Sequence, residues 1–267
     1  MHPIERLRYV ARARGADAEA LVVETASALR GLGLDPSGLV VACRRIVERH
    51  PTCGPLWWLC SRLLTAPDPG RAIRDAVGAI TSDATAGRLA DAIPDDATVA
   101  TIGWPAVAAE ALGQRGDVRV LAVEADHLTS SFVQRLERQD VECELVPTHA
   151  AALAAAAADL VLVEAEAVAA DVAVVPIGSA VLAAAAGLVG TPVWLVAGRG
   201  RRLPAAVVEA VLTRARPEHD PLAADVESLP VAAVDHVAGP DGVVVRSTAA
   251  LTAECELAPE LLRTSPM

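Results

Sequence analysis

Hydrophobic and polar positions change their rhythm once along this 267-residue chain. From Pro3 to about Ile93 apolar residues recur three and four apart, the spacing of one helical face. Ile4, Leu7, Val10 and Ala11 share such a face, and Leu21, Val22, Ala26 and Leu29 continue the pattern over Ala16–Leu32. Asp35-Pro36-Ser37 is a start signal for a helix over Gly38–Arg49. "HPTCGPLWWLCSRLL" opens another, with Thr52 as the expected N-cap. After the turn "APDPGRA" the pattern predicts one longer helix over Arg71–Ala92.

"IPDDAT" marks the change, and beyond it short apolar runs alternate with helical segments. Candidate strands are Thr98–Ile102, Val118–Val123, Glu142–Val146, Leu160–Glu164 and Val193–Ala197. Pro105–Gln114, Thr129–Gln139, Ala150–Ala158 and Ser179–Gly187 read as the helices between them, and Arg201–Arg216 contains one more. "VAAVDHVAGPDGVVV" reads as two short strands around a Gly-Pro-Asp-Gly turn. Alternating strands and helices imply a doubly wound parallel sheet with right-handed crossovers. The expected architecture is α/β: a helical N-terminal region over residues 1–93, then a Rossmann-like domain over 94–267.

Val174–Gly198 carries no charged side chain and is long enough to cross a bilayer, for which about 20 apolar residues suffice. Gly187, Gly190 and Pro192 interrupt it, however. Alanine and leucine precede the break and favour helix. Val193-Trp194-Leu195-Val196 follows it and favours strand. The expectation is a buried helix feeding a buried parallel strand, which is apolar because both of its faces are covered. No membrane span is expected.

Composition narrows the function classes. The formal net charge is -11, and every strong cation is an arginine, since the chain contains no lysine. An acidic chain without a basic stripe is a poor nucleic-acid binder, because phosphate neutralisation drives that binding. The five cysteines, Cys43, Cys53, Cys60, Cys143 and Cys255, form no CxxC and no metal-type cluster with histidine. Their odd number and scattered spacing point to reduced thiols in a cytoplasmic protein. Nothing near Arg-Leu-Arg-Tyr-Val at the start reads as a signal peptide. Cys53 and Cys60 share a helical face with Trp57 and read as core, and Cys143 alternates with Glu142 and Glu144 and is expected to point inward.

In an open α/β sheet, ligands sit beyond the carboxyl ends of the strands. The segments to search are Gly103-Trp104-Pro105, Glu124 to His127, Pro147-Thr148-His149, Glu164-Ala165-Glu166 and Gly198-Arg199-Gly200. Glu166 reads either as a general base or as a solvated residue at a strand end. His50 reads as a phosphate ligand or as part of a helix start. Arg199, Arg201 and Arg202 form the strongest cationic cluster, open to an anionic ligand or to acidic partners on the chain itself. "GRGRR" lacks the third glycine of a dinucleotide fingerprint and follows a late strand, so no nucleotide cofactor is read from it.

Several of these segments, in this order, resemble the alpha/beta/delta subunits of translation initiation factor 2B, a family that includes methylthioribose-1-phosphate isomerase and ribose-1,5-bisphosphate isomerase. "HPTCGPLWWLCSRLL" is similar to the family's "RPTAVNL" helix start, and "VATIGWPAVAAEAL" to its "THCNAG" or "TYSRSS" strand and loop. "VRVLAVEADH" resembles the strand ending in "ESRP", and "ADLVLVEAEAV" the strand ending in "GAD". "VVPIGSAVLAAAAGLVGTPVWLVAG" is similar to "NKIGTYLLALAAKEHGVPFYVAA", and "VAAVDHVAGPDGVV" to "LVDAVVTERGV". No single motif is specific, and the ordered series, from about His50 to Val245, carries the resemblance.

The resemblance implies a helical region on a Rossmann-like domain, a homodimer and an aldose–ketose isomerase ancestry that used a cysteine and an aspartate to move protons. It places ligand-binding positions at His50, Thr52, Gly103, Glu124, Gly178, Ser179 and Arg199. The chemistry departs from the pattern. The cysteine falls on Gly103, which has no side chain. The aspartate falls on Glu166, one methylene longer, and the glycine before it is Glu164. The "NK" pair has shrunk to Pro176, and the arginine of "RPT" is His50. A phosphosugar wants arginine, lysine or backbone amides, and this set loses cations and gains a carboxylate. The expected function is that of an initiation-factor-2B-like, non-catalytic protein acting in assembly or in sensing a small phosphorylated ligand. The alternative is a divergent sugar-phosphate isomerase that uses Glu166. No cofactor or metal is expected.

Overall fold

A computed structural model describes residues 18–31, 36–216, 220 and 223–263. Ile4, Leu7, Val10, Ala11 and the Asp35 of the helix-start signal lie outside the described residues. Five helices come first: α1 (Ala18–Arg30), α2 (Pro36–Arg49), α3 (Gly54–Thr65), α4 (Pro69–Thr81) and α5 (Thr85–Ala92). The N-cap of α3 is Cys53 and not Thr52, which sits in the turn before it. Pro55 occupies the first turn of α3, where a missing N–H costs nothing, and so the helix starts later than the Thr52 signal suggests.

The helix expected over Arg71–Ala92 is two helices. The Asp83 carboxylate stops it from continuing, because Oδ1 accepts from both the Thr85 backbone N–H at 3.0 Å and the Thr85 hydroxyl at 2.6 Å. Aspartate competes with helical hydrogen bonding in this way. The chain turns at Ser82-Asp83-Ala84 and restarts as α5.

The remaining elements are β1 (Thr98–Ile102), α6 (Ala106–Leu112), β2 (Arg119–Val123), α7 (Thr129–Glu137), β3 (Glu142–Val146), α8 (Ala151–Ala157), β4 (Leu160–Glu164), β5 (Ala167–Val168), β6 (Val172–Pro176), α9 (Ser179–Val189), β7 (Val193–Val196), α10 (Ala205–Ala215), β8 (Val226–Pro230), β9 (His236–Gly239) and β10 (Gly242–Val245). The main sheet has the order β10-β9-β7-β4-β1-β2-β3. Its pairs are parallel except β10 on β9. The strand order reverses between β1 and β4, and in doubly wound sheets a crevice opens at such a point.

Side chains alternate along the strands, and both faces of the central strands are covered. Ala100 and Ile102 of β1 join the core beneath α8 and α9, whereas Val99 joins the core beneath α5, α6 and α7. Cys143 packs, half-buried, against this second core. A third core holds α1 to α4 against α10 and the late residues Ala258 and Leu261. Trp57 and Trp58 are fully buried in it, each large apolar side chain contributing about 2–3 kcal/mol. Their indole N–H groups reach the Pro51 and Glu254 carbonyls at 2.9 and 3.3 Å.

Val174–Gly198 divides into the end of β6, helix α9, the turn at Gly190 and strand β7, and no helix among the described residues is long and apolar enough to cross a membrane. One element was not foreseen. An antiparallel sheet, β5-β6-β8, stands beside the main one. β5 has two residues and β6 merges with the apolar run that follows, so neither shows the alternation of an independent strand.

Candidate functional site

The carboxyl ends of β1, β4 and β7 meet at the reversal of strand order, and the loops that follow them face the helices α1 to α5. A cavity of about 230 Å³ opens there, lined among others by Pro55, Asp83, Trp104, Val107, Arg135, Arg199 and Arg201. The loop Gly198–Arg202 after β7 forms one wall. Gly200, at φ +80°, lets this loop lie against α3, where an added Cβ would stand 3.1 Å from the Trp58 ring and 3.2 Å from Pro55 Cα. A side chain there would crowd α3, and glycine takes the left-handed backbone without strain.

Arg201 is the charged centre. Its Nη2 donates to Glu164 Oε1 at 2.7 Å, its Nη1 donates to the Ala165 carbonyl and lies 3.8 Å from Glu166 Oε2. The other oxygen of Glu164 accepts from the Val107 and Ala108 backbone N–H groups at 2.8 and 3.1 Å. Those are the first amides of α6, where an anion is favoured. All contacts to Glu164 are donors, as the ionised carboxylate requires. Burial raises the Glu164 pKa, opposed by Arg201 and the two amides. Burial works against the Arg201 charge, but Glu164 and Glu166 outweigh it and its pKa is raised.

The same arrangement recurs twice. Glu227 on β8 accepts from the Ala180 N–H at the start of α9, at 2.9 Å. Glu254 Oε2 accepts from the Gly200 N–H at 2.7 Å, and its Oε1 accepts from Arg199 Nη1 at 2.7 Å and Arg202 Nη2 at 2.8 Å. Asp83 Oδ2 takes the Arg199 N–H at 2.7 Å. Of the two openings left to the arginine cluster, acidic partners on the chain fill this one. The Arg199, Arg201 and Arg202 guanidiniums and the Val107, Ala108, Arg199 and Gly200 amides thus each have a carboxylate of the chain on them.

The residues singled out from sequence are brought together only in part. Arg199 lines the cavity. Glu166 stands beside Arg201 with 36% of its side chain exposed, and loss of water raises its pKa against the pull of Arg201. Gly54 of α3 abuts the Glu166 carbonyl, which sets Cys53 near the same spot. Gly103 has φ +70° and packs on Ala125 and Pro176, while Gly178, at φ +89°, packs on Ile102. These two glycines draw the end of β1 towards the start of α9. Ser179 is buried at the first position of α9, with no hydrogen-bond partner for its hydroxyl among the described residues. His50 and Thr52 lie half-buried in the turn between α2 and α3, and the Glu124 side chain is exposed after β2. Glu227, Glu254, Asp83 and Trp104 carry much of the site, and only Trp104 lay in a segment marked by strand-end position.

No protein-family model matches the chain, and no curated protein does. Solved structures do. The translation initiation factor eIF-2B of Pyrococcus horikoshii OT3 superposes with a TM-score of 0.73 at 18% identity, covering 91% of this chain and 96% of that one. A chain of the tetrameric eIF2B-beta2-delta2 complex from C. thermophilum gives 0.71 at 15% identity, over 91% and 90%. The eIF-2B delta subunit of A. fulgidus gives 0.58 at 15% identity, over 91% and 88%. The chain therefore has the fold of the initiation-factor-2B subunits, with a helical region on a Rossmann-like sheet.

Proposed function

We propose that this chain is an initiation-factor-2B-like protein that has kept the fold without isomerase chemistry and acts in assembly or in sensing a small phosphorylated ligand. One observation carries the reading. Glu164, Glu227 and Glu254 already occupy the α6 amides, the α9 amide and the Arg199–Arg202 loop. A substrate phosphate would have to displace one of the chain's own carboxylates at any of these places. Gly103 supplies no proton-transfer group where the resemblance calls for a cysteine. The solved beta2-delta2 tetramer supports an assembly role by analogy of fold. Exposed Leu153, Val181 and Leu188 on α8 and α9 support association of this chain with a second copy.

Glu166 supports the second reading, a divergent isomerase, because it is part-exposed beside Arg201 and Cys53 lies within electrostatic range of the same guanidinium. Phosphorus NMR of ribose 1,5-bisphosphate and of methylthioribose 1-phosphate with the purified protein separates the two. Unchanged substrate resonances are expected. New ketose-phosphate resonances, lost in Glu166→Gln, would establish the isomerase instead.

A further inference from the structure

Glu254 belongs to a segment without regular structure that crosses the loop after β7 and runs on to the helical region. Its ends are held by buried apolar groups: Leu251 packs under the sheet, and Ala258 and Leu261 sit in the core of α1 to α4. Backbone acceptors add to this, since Arg44 Nε donates to the Glu260 carbonyl at 2.7 Å and Arg214 Nη2 to the Leu261 carbonyl at 2.6 Å. Between those anchors, Glu254 holds the segment down. Its own N–H donates to the Arg202 carbonyl at 2.9 Å, and its carboxylate, 7% exposed, accepts from Arg199, Gly200 and Arg202.

We infer that Arg199, the Gly200 N–H and Arg202 form an anion site for a phosphoryl group, latched by Glu254 of the chain's own strap. Two guanidiniums converging with a backbone amide make a strong anion receptor, because charge-assisted bonds are about twice as strong as neutral ones. The carboxylate does not exhaust it. Arg199 Nε and Arg202 Nε are buried without a hydrogen-bond partner among the described residues. A phosphoryl group brings a third oxygen and a second negative charge to donors that a carboxylate leaves unused. The route in is short, because Arg199 lines the cavity and its side chain is 30% exposed. A phosphate arriving there competes with Glu254 and loosens the strap over residues 252–258 between its anchors, where the Glu254 backbone bonds to Arg202 and Trp58 and the packing of Cys255 are what remain to hold it. The site thus gives a strap release that depends on a phosphorylated small molecule. The inference rests on the proposed function only for the class of ligand.

The probe is inorganic phosphate, titrated calorimetrically against chloride at matched ionic strength. Wild type, Glu254→Gln and Glu254→Gln/Arg199→Ser are compared, and circular dichroism confirms that each is folded. A latch closed in nine molecules of ten lowers apparent affinity about tenfold. Glu254→Gln is therefore expected to bind phosphate about tenfold or more tightly than wild type, and the double variant to lose that gain. In wild type, phosphate is expected to speed amide exchange over residues 252–258. Equal affinity in wild type and Glu254→Gln overturns the latch. Should Glu254→Gln fail to fold, wild-type exchange decides, and exchange over 252–258 unaltered by phosphate overturns it. Turnover of a sugar phosphate would overturn the proposed function and leave these phosphate measurements as they stand.

Discussion

Glu164 Oε1 lies 2.7 Å from Arg201 Nη2, and each side chain is 6% exposed. Two buried charges at the reversal of strand order stabilise each other, and they also join β4 to α6 and to the loop after β7. Removing one leaves the other buried without its closest opposite charge, at a cost of about 3–5 kcal/mol. Glu164→Ala and Arg201→Ala are each expected to lower unfolding free energy by that amount. Glu164→Ala/Arg201→Ala is expected to cost less than the sum of its singles. Urea denaturation of the four proteins checks this, and strict additivity would show that the two residues act independently.

Gly103 tests the loss of chemistry. Its φ of +70° is a left-handed backbone, whereas an added Cβ would meet Ala125 Cβ at an ordinary 3.5 Å. The cost of a side chain is therefore conformational, about 1–2 kcal/mol. Gly103→Cys is expected to fold with stability lowered by that much. It is expected to show no turnover of methylthioribose 1-phosphate, since Glu164 still occupies the α6 amides. Turnover by this variant would mean that the missing thiol was the sole defect.

Gly54 makes the opposite case. A Cβ there would press into the Glu166 carbonyl, a backbone atom that cannot swing aside. Gly54→Ala is expected to lose at least about 3 kcal/mol, the upper part of the overpacking range. A thermal melt within a degree or two of wild type would contradict this packing.

The thiols set the alkaline limit. Burial pushes Cys143 up to about 12 and Cys255 up to about 11 from an ordinary 9.0. A raised pKa in the folded state gives stability that is complete below the unfolded value and lost as pH climbs towards the folded one. Stability is thus expected to fall between about pH 9 and pH 11 as unfolding comes to release thiol protons. The chain has no lysine and one tyrosine to mask the effect. Cys255→Ala is expected to show a shallower decline in urea midpoint over this range, and an identical slope would refute the assignment.

Much of the sheet was readable before any coordinates. Thr98–Ile102, Glu142–Val146 and Leu160–Glu164 are strands to the residue: the first and last are buried and read as largely apolar runs, whereas Glu142–Val146 lies at the sheet edge and reads from its alternation. The break in Val174–Gly198 was readable for a similar reason, since glycine and proline announce their own backbone. Thr52 and Arg71–Ala92 were misread because a nearby proline and an aspartate carboxylate overrode local propensity.

The site was much less legible. Gly103, Glu166 and Arg199 could be marked from their places after strands, because the ends of parallel strands collect ligand groups in any such sheet. Sequence alone thus determined the rhythm of helices and strands, the edge at which a site must lie, and the absence of lysine from it. Tertiary structure alone decided which carboxylate meets which cation. Glu254 reaches Arg199 across 55 positions and Asp83 reaches its amide across 116. Such pairs leave no periodic trace, because hydrogen bonds between side chains and distant loops depend on how the strap and the helices close over the sheet.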